Sequence, residues 1–206
     1  MAENGAAPDL LVSGFELIAE RGGSNLSLVA LAARSGVPLV EVYAQLPGRG
    51  ALLRALNRRV DAAMLAFDPA ELEGLPPRDR AFELLMRRFD ALGPFRAGLR
   101  RLAREAPGEP CAVLLTALRL DRSMAWLQDA LGLRRYGLRA RVARGALGAA
   151  YMQTLRVWFG DESADLARTM AELDKQLRRV EPFAGLREAR AAPAAAGGVG
   201  EVPEPA

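Results

Sequence analysis

The feature that most restricts how this chain can fold is a pair of short helix-forming segments separated by Gly36. Ser27 can cap the first segment, residues 28–34, because a serine hydroxyl accepts a hydrogen bond from an amide at the start of a helix. Gly36 is free to adopt the positive φ of a tight turn. Pro38 suits the first turn of the second segment, and Pro47 follows its end. This spacing predicts a helix-turn-helix, in which the second helix of the pair enters the major groove of DNA.

The rest of the chain predicts helices and no strands. Ala, Leu, Arg and Glu dominate the 206 residues, and runs of β-branched residues are missing, which favours an all-α fold. Glycine and proline residues separate the helical segments from one another. The predicted helices cover residues 8–21, 28–34, 38–46, 50–66, 78–92, 94–105, 110–131, 135–160 and 163–181.

Three parts of the chain follow from this pattern. Residues 1–50 form the predicted helix-turn-helix domain, and residues 51–183 form a second helical domain. Residues 184–206 are rich in Ala, Gly and Pro and have no hydrophobic periodicity. Such a segment cannot bury a core, so we predict a disordered tail there.

The composition argues against an enzyme. Histidine is absent, which removes the commonest general base and the commonest metal ligand. The single cysteine, Cys111, precedes an apolar run, so we interpret it as a core residue. Asp161, Glu162 and Asp165 form an acidic cluster, but acids are stabilised at a helix N-terminus without any catalytic role. No Gly-rich phosphate loop or metal-ligand spacing is present, and we expect neither cofactor nor metal.

The same sequence indicates a cytoplasmic protein. The first residues carry acids where a signal peptide would carry bases. Uncharged runs such as residues 145–155 are much shorter than the roughly 20 residues of a membrane span. We therefore expect the chain to remain in the cytoplasm.

A run of residues within 10–56 matches the pattern of a known family in order and without a gap. The matching residues are Phe15, Ala19, Glu20, Arg21, Gly22, Ser27, Leu31, Ala32, Ala33, Arg34, Gly36, Val37, Val42, Tyr43, Pro47, Leu52 and Leu53. This segment resembles the N-terminal domain of the TetR family of bacterial repressors. The resemblance implies a tri-helical helix-turn-helix followed by a helical ligand-binding and dimerisation bundle. It also implies a homodimeric repressor that a small apolar or amphipathic effector releases from a double-stranded DNA operator.

Six residues are candidates for contact with DNA. Tyr43 and Arg49 can donate to phosphates, Gln45 can pair with an adenine edge, and Glu41 can accept from cytosine N4. Tyr43 also has an interpretation without DNA, in which its ring packs on the first helix. The six candidates are Ser27, Arg34, Glu41, Tyr43, Gln45 and Arg49.

Several outward positions depart from the family pattern. Leu39 stands where lysine is common, and Ala44 stands where a basic or aromatic residue is common. Residues 1–60 carry six arginines and five acids, whereas residues 78–144 carry 15 arginines and seven acids. Positive charge thus lies mainly outside the helix-turn-helix. Both weakened DNA binding and a retained fold with little DNA binding remain open.

The second domain carries the residues that the resemblance assigns to a ligand and a dimer. Aromatic and apolar residues on these helices are candidates for an effector pocket or for ordinary core. We expect the homodimer to form through residues 135–181, where Gly145 and Ala149 belong to a group of small residues that allow close helix approach. The pocket candidates are Phe89, Leu114, Leu118, Trp126 and Tyr151.

An alternative function follows from the basic helix over 94–105. Arg96, Arg100 and Arg104 lie on one face of it, either as a solvated surface or as a site for anionic headgroups. Residues 158–183 are similar to the end of ubiquinone-biosynthesis accessory proteins, which share the TetR-like fold and bind lipid without DNA. That similarity implies a lipid- or isoprenoid-binding protein, with membrane contact under this alternative only. Further arginines that extend the positive surface are Arg134, Arg135, Arg139, Arg141 and Arg144.

Overall fold

The computed structural model describes residues 9–133 and 136–186, and within those ranges it contains helices and no β-strand. The predicted all-α fold is confirmed. Short 3₁₀ turns at Pro69–Leu72, Gly93–Phe95 and Ala106–Gly108 connect some of the helices. The helices are α1 (Leu10–Arg21), α2 (Leu28–Ser35), α3 (Leu39–Gln45), α4 (Arg49–Leu65), α5 (Pro77–Leu92), α6 (Arg96–Glu105), α7 (Pro110–Ala130), α8 (Leu138–Trp158) and α9 (Ala167–Ala184).

The first helices begin and end at the residues that local chemistry favours. Asp9 caps α1 by accepting a hydrogen bond from the Leu11 amide at 3.0 Å. Ser27 Oγ accepts from the Ala30 amide at 3.5 Å at the start of α2. Gly36 ends α2 with φ +70°, a left-handed conformation that an L side chain rarely adopts. The predicted helix-turn-helix geometry is therefore present in α2 and α3.

The helix-turn-helix is joined to the rest of the molecule by the packing of α1 on α6. Gly98 on α6 lies so close to α1 that a Cβ at this position would stand 2.5 Å from the Phe15 carbonyl oxygen. The Phe15 ring also meets the Phe95 ring edge to face, with centroids 5.2 Å apart. Since both rings are buried, this contact fixes α1 against the bundle.

The core of the bundle lies between α5, α8 and α9. Phe89 stacks on Tyr151 with ring centroids 5.1 Å apart, and Trp158 lies 6.0 Å from Phe89. Leu173 and Leu177 of α9 are fully buried, and α8 and α9 form the most extensive helix pair among the described elements. The α8–α9 pair thus gives the bundle a continuous apolar centre.

The start of α9 is organised by one buried carboxylate. Asp161 accepts hydrogen bonds from the Thr169 amide at 2.8 Å and the Thr169 hydroxyl at 2.7 Å, and from the Ser163 amide at 3.2 Å. Burial alone would raise the pKa of Asp161, but the bonds from Ser163 and Thr169 hold that pKa well below its ordinary range. Leu166, just before α9, has the left-handed φ of 56°. The acidic cluster predicted at a helix N-terminus therefore has a structural role.

Three expectations differ from the structure. Cys111 is exposed on α7, so its interpretation as a core residue is wrong. The apolar run that follows Cys111 suggested burial, but most of the first half of α7 is exposed. Ala184 and Leu186 are buried, so the predicted tail cannot begin at residue 184; its residues 187–206 lie outside the described ranges. Helix α9 begins at Ala167 and ends at Ala184, rather than covering 163–181.

Along the described ranges, no helix is both long enough and apolar enough to cross a membrane.

Candidate nucleic-acid interface

Helix α3 presents most of its surface to solvent. Among its seven residues only Val42 is buried, and it anchors α3 on the other helices. Successive residues of an α-helix are about 100° apart, so Val40 and Ala44 point most nearly away from Val42. Leu39 and Tyr43 lie on one side of that outward direction. The other edge carries the polar side chains of Glu41 and Gln45, which are exposed as a groove-reading function requires.

The side of α3 that faces α2 is apolar. Val40 is 73% exposed, Tyr43 is 62% exposed and Leu39 is 46% exposed. Together with two residues of α2 they line an open depression of about 590 Å³. Sequence reasoning treated Leu39 only as a departure from a pattern and did not find the α2 members of this surface. This apolar patch consists of Leu28, Val29, Leu39, Val40 and Tyr43.

Arg34, a predicted DNA contact, is bound to acidic side chains of α1. Its guanidinium lies 2.6 Å from Glu20 and 3.5 Å from Glu16. The hydrogen bond that Arg34 donates to Glu20 raises the pKa of Arg34 above its ordinary value. DNA phosphates would have to compete with two carboxylates for this side chain.

Arg49, at the start of α4, is paired with a residue 60 positions away. Its Nη1 lies 2.7 and 2.8 Å from the two carboxylate oxygens of Glu109, just before α7. Both side chains are more than half buried, so solvent screens this pair less than an exposed one. The contact ties the predicted phosphate-binding arginine to the corner between α6 and α7.

A second contact reaches the same corner. Glu105 accepts a hydrogen bond from the Gly23 amide at 2.9 Å, and Arg101 donates to its other oxygen at 2.9 Å. The bond from Gly23, followed by the one from Arg101, lowers the pKa of Glu105. The helix-turn-helix is therefore attached to the bundle by hydrogen bonds as well as by the α1–α6 packing.

Ser27 lies at the start of α2, where its hydroxyl already accepts the capping bond. Five of the six candidate residues thus lie on α2, on α3 or at the N-cap of α2, whereas Arg49 lies at the start of α4. Arg34 and Arg49 carry ion pairs within the chain.

The structure brings together only two of the candidate pocket residues. Phe89 and Tyr151 are buried and stacked on each other, as part of the core. Leu114 and Leu118 are exposed on α7, and Trp126 is half-buried further along the same helix. The five residues therefore do not line one cavity in this chain.

Beside the stacked rings lies a buried polar cluster that sequence reasoning missed. Arg88 of α5 is only 4% exposed, and it forms an ion pair with Asp61 of α4. Its other nitrogen donates to Asn57 at 3.1 Å, and Ser123 of α7 donates to Asp61 at 3.0 Å. Burial opposes the charge of Arg88, but Tyr151 and Asp61 raise its pKa. The cluster joins α4, α5 and α7; residues 27 positions apart gave no periodic signal that would reveal it.

The proposed dimer segment leaves one face of α8 uncovered. Leu138, Val142 and Met152 are exposed there, and so are Gly145 and Ala149. These residues recur at intervals of three and four and therefore share one face of the helix. Leu173 and Leu177 of α9, by contrast, are buried within the chain.

On the basic helix α6, one of the three candidate arginines makes contacts within the fold. Arg96 donates to the Asp161 carbonyl at 2.6 Å, and its guanidinium stacks 4.3 Å from the centre of the Trp158 ring. Arg104 is exposed and Arg100 is half-buried. Arg134 and Arg135 lie outside the described residues.

Comparison with known proteins supports the fold. No family model matches the sequence, and no curated protein matches it significantly. A TetR transcriptional regulator from Nitrosomonas europaea has a similar structure, with 26% identity and a TM-score of 0.67, covering 82% of this chain and 94% of that one. A TetR transcriptional regulator from Rhodococcus sp. RHA1 is 16% identical, with a TM-score of 0.58 over 83% of this chain and 92% of that one.

The chain has the fold of the TetR transcriptional regulators, as residues 10–56 predicted. The agreement extends over the bundle as well as the helix-turn-helix, because most of both chains is covered.

Proposed function

We propose that this chain is a cytoplasmic, homodimeric transcriptional repressor that binds operator DNA through α3. The observation that carries the proposal is an exposed α3 within a helix-turn-helix, in a fold shared with a TetR transcriptional regulator over 82% of the chain. Helix α3 is the second helix of the pair, the one that enters the major groove in this motif. Glu41 and Gln45 can form hydrogen bonds with base edges, and the hydroxyl of Tyr43 can donate a hydrogen bond to a phosphate.

The arrangement of charge predicts modest affinity for each half-site. Arg34 and Arg49 are held by carboxylates within the chain. Each DNA phosphate left without a positively charged partner makes the plot of log binding constant against log salt concentration shallower by about 0.9. Two copies of the chain would add two half-sites together. A repressor with weak half-sites therefore depends on dimerisation.

A gel-shift titration with the full chain tests DNA binding. The DNA is the region upstream of the chain's own gene, at about 50 mM salt, where phosphate contacts are strongest. We expect a shift that Gln45→Ala reduces on this DNA but not on an unrelated duplex. Absence of any shift, with the protein folded and dimeric, would refute the proposal.

We propose that the dimer forms through the uncovered face of α8. Small residues at Gly145 and Ala149 allow a second helix to approach closely, and Val142 adds apolar area. Ala149→Arg should convert the dimer to a monomer in sedimentation velocity. Ala62→Arg, which places the same side chain on the exposed surface of α4, is the matched control. A dimer that survives Ala149→Arg places the interface elsewhere.

We also propose that a small apolar or amphipathic effector releases the DNA. The support is the exposed apolar surface in the first half of α7, where Leu114 and Leu118 are 61% and 59% exposed. Decanoate, as a probe, should change the tryptophan fluorescence, because it would alter the surroundings of the half-buried Trp126 on the same helix, and it should lower DNA binding. Leu118→Asp should abolish both effects, because it removes apolar contact and its carboxylate repels the carboxylate of decanoate. Decanoate binding that leaves DNA affinity unchanged would contradict an effector role for this surface.

A further inference from the structure

The outward face of α3 has an unusual chemistry for a helix that reads DNA, and the inference drawn from it rests on the proposed function. Val40 and Ala44 point most directly away from the core, and Leu39 is 46% exposed on the side of α3 that faces α2. None of the three can donate or accept a hydrogen bond. The polar residues Glu41 and Gln45 lie along one edge only.

This chemistry distinguishes between bases. Guanine presents two acceptors in the major groove and is read by Arg or Lys, neither of which occurs in α3. Thymine presents a C5-methyl group, which apolar side chains contact favourably. A guanine edge placed against Val40 would lose its hydrogen bonds to water without replacement, which costs free energy. The face therefore favours thymine and disfavours guanine.

We propose that Leu39, Val40 and Ala44 read thymine methyl groups, so that each half-site carries A·T pairs where the centre of α3 enters the groove. Glu41 and Gln45 then select bases at the edge of this element, through cytosine N4 or adenine. Leu39 and Val40 of the apolar patch, together with Ala44, thus form a specificity surface for DNA. Burying one methyl group on binding favours the thymine-containing site by about fourfold.

The exposure of Val40 makes this surface testable without loss of the fold. At 73% exposure the side chain contributes little to the core, so Val40→Ala should fold normally. Leu65→Ala, at another exposed leucine at the end of α4, is a matched control.

The experiment has two stages and uses the full chain. Binding sites are first selected from random duplexes, and each thymine of the selected half-site is then replaced by deoxyuridine, which removes only the methyl group. We expect about fourfold weaker binding at one or two adjacent positions. In Val40→Ala, deoxyuridine should no longer weaken binding at one or more of these positions. In Leu65→Ala, it should weaken binding at all of them as in the original chain.

The outcomes separate this inference from the proposed function. If no duplex is selected at low salt, the proposed DNA binding fails and this inference falls with it. If a site is selected but deoxyuridine binds as well as thymidine, or if guanine occupies the centre of the half-site, the methyl readout is refuted while DNA binding stands. If Val40→Ala leaves every loss of affinity caused by deoxyuridine unchanged, Val40 does not contact a thymine methyl group, and the readout proposed for the most exposed apolar side chain of α3 is refuted.

Discussion

The helix-turn-helix and the helical bundle differ in where their charged side chains lie. In the bundle, Arg88 is buried beside its ion-pair partner Asp61, and the buried Asp161 accepts hydrogen bonds from Thr169. In the helix-turn-helix, Arg34 is paired at the surface, while Val40 and Leu39 face solvent. The contrast indicates that polar contacts in the bundle stabilise the fold, whereas the exposed surface of α3 is suited to contact with a partner.

The largest expected effect concerns the buried polar cluster. Asp61→Ala should destabilise the protein by about 3–5 kcal/mol, because it leaves Arg88 charged and buried without its partner. Glu71→Ala, which removes the exposed partner of Arg87, should cost less than about 1 kcal/mol. Urea denaturation measures both. Equal losses would show that the two kinds of ion pair do not differ and would break the comparison.

The second effect concerns the carboxylate at the start of α9. Asp161→Asn should lower stability at pH 7 by about 2 kcal/mol, since hydrogen bonds to an ionised acceptor are lost. The folded-state pKa of Asp161 lies below the ordinary aspartate value of 3.8. Its contribution to the free energy of unfolding is therefore complete above that pH and is lost as the pH falls below it.

Thermal unfolding of the original chain and of Asp161→Asn between pH 7 and pH 2 tests this pH dependence of stability. The difference between the two melting temperatures should shrink as the solution becomes more acidic than about pH 4. A difference that stays constant with pH would mean that the charge of Asp161 does not matter. Asp165→Asn is the control, because its carboxylate makes one exposed bond to the Ala167 amide.

The third effect tests the junction between the two regions. Gly98→Ala should destabilise the chain by about 1–3 kcal/mol, because the new Cβ would stand 2.5 Å from the Phe15 carbonyl oxygen. Gly50→Ala is the control, since its Cβ would meet only Arg54 at 3.6 Å. Unchanged stability in Gly98→Ala would show that α1 is not held tightly on α6.

The smallest effect sharpens the electrostatic side of the comparison. Glu109→Gln removes the charge that holds Arg49 and frees this arginine for a DNA phosphate. DNA affinity at low salt should rise, and the salt dependence should become steeper by about 0.9 in slope. Filter binding over a salt series measures this change. Arg49→Ala should weaken binding to all sequences, and parallel slopes for all three proteins would exclude Arg49 from the phosphate contacts.

Much of the helix-turn-helix followed from neighbouring residues. The cap at Ser27, the turn at Gly36 and the break after α3 all depend on interactions within a few residues, and the structure places each of them as predicted. The packing of the bundle could be predicted less completely from the sequence. Cys111 looked like a core residue in its apolar run, but only the packing of α7 shows that this part of the helix is exposed.

The sequence by itself determined the all-α class, the order of the helices and the helix-turn-helix, because capping, helix propensity and hydrophobic spacing act over short distances along the chain. The tertiary structure alone decided which charges meet. Arg49 pairs with Glu109, 60 positions away in the sequence, and Arg88 pairs with Asp61, 27 positions away. No local sequence pattern could therefore show which of these arginines are already paired within the chain.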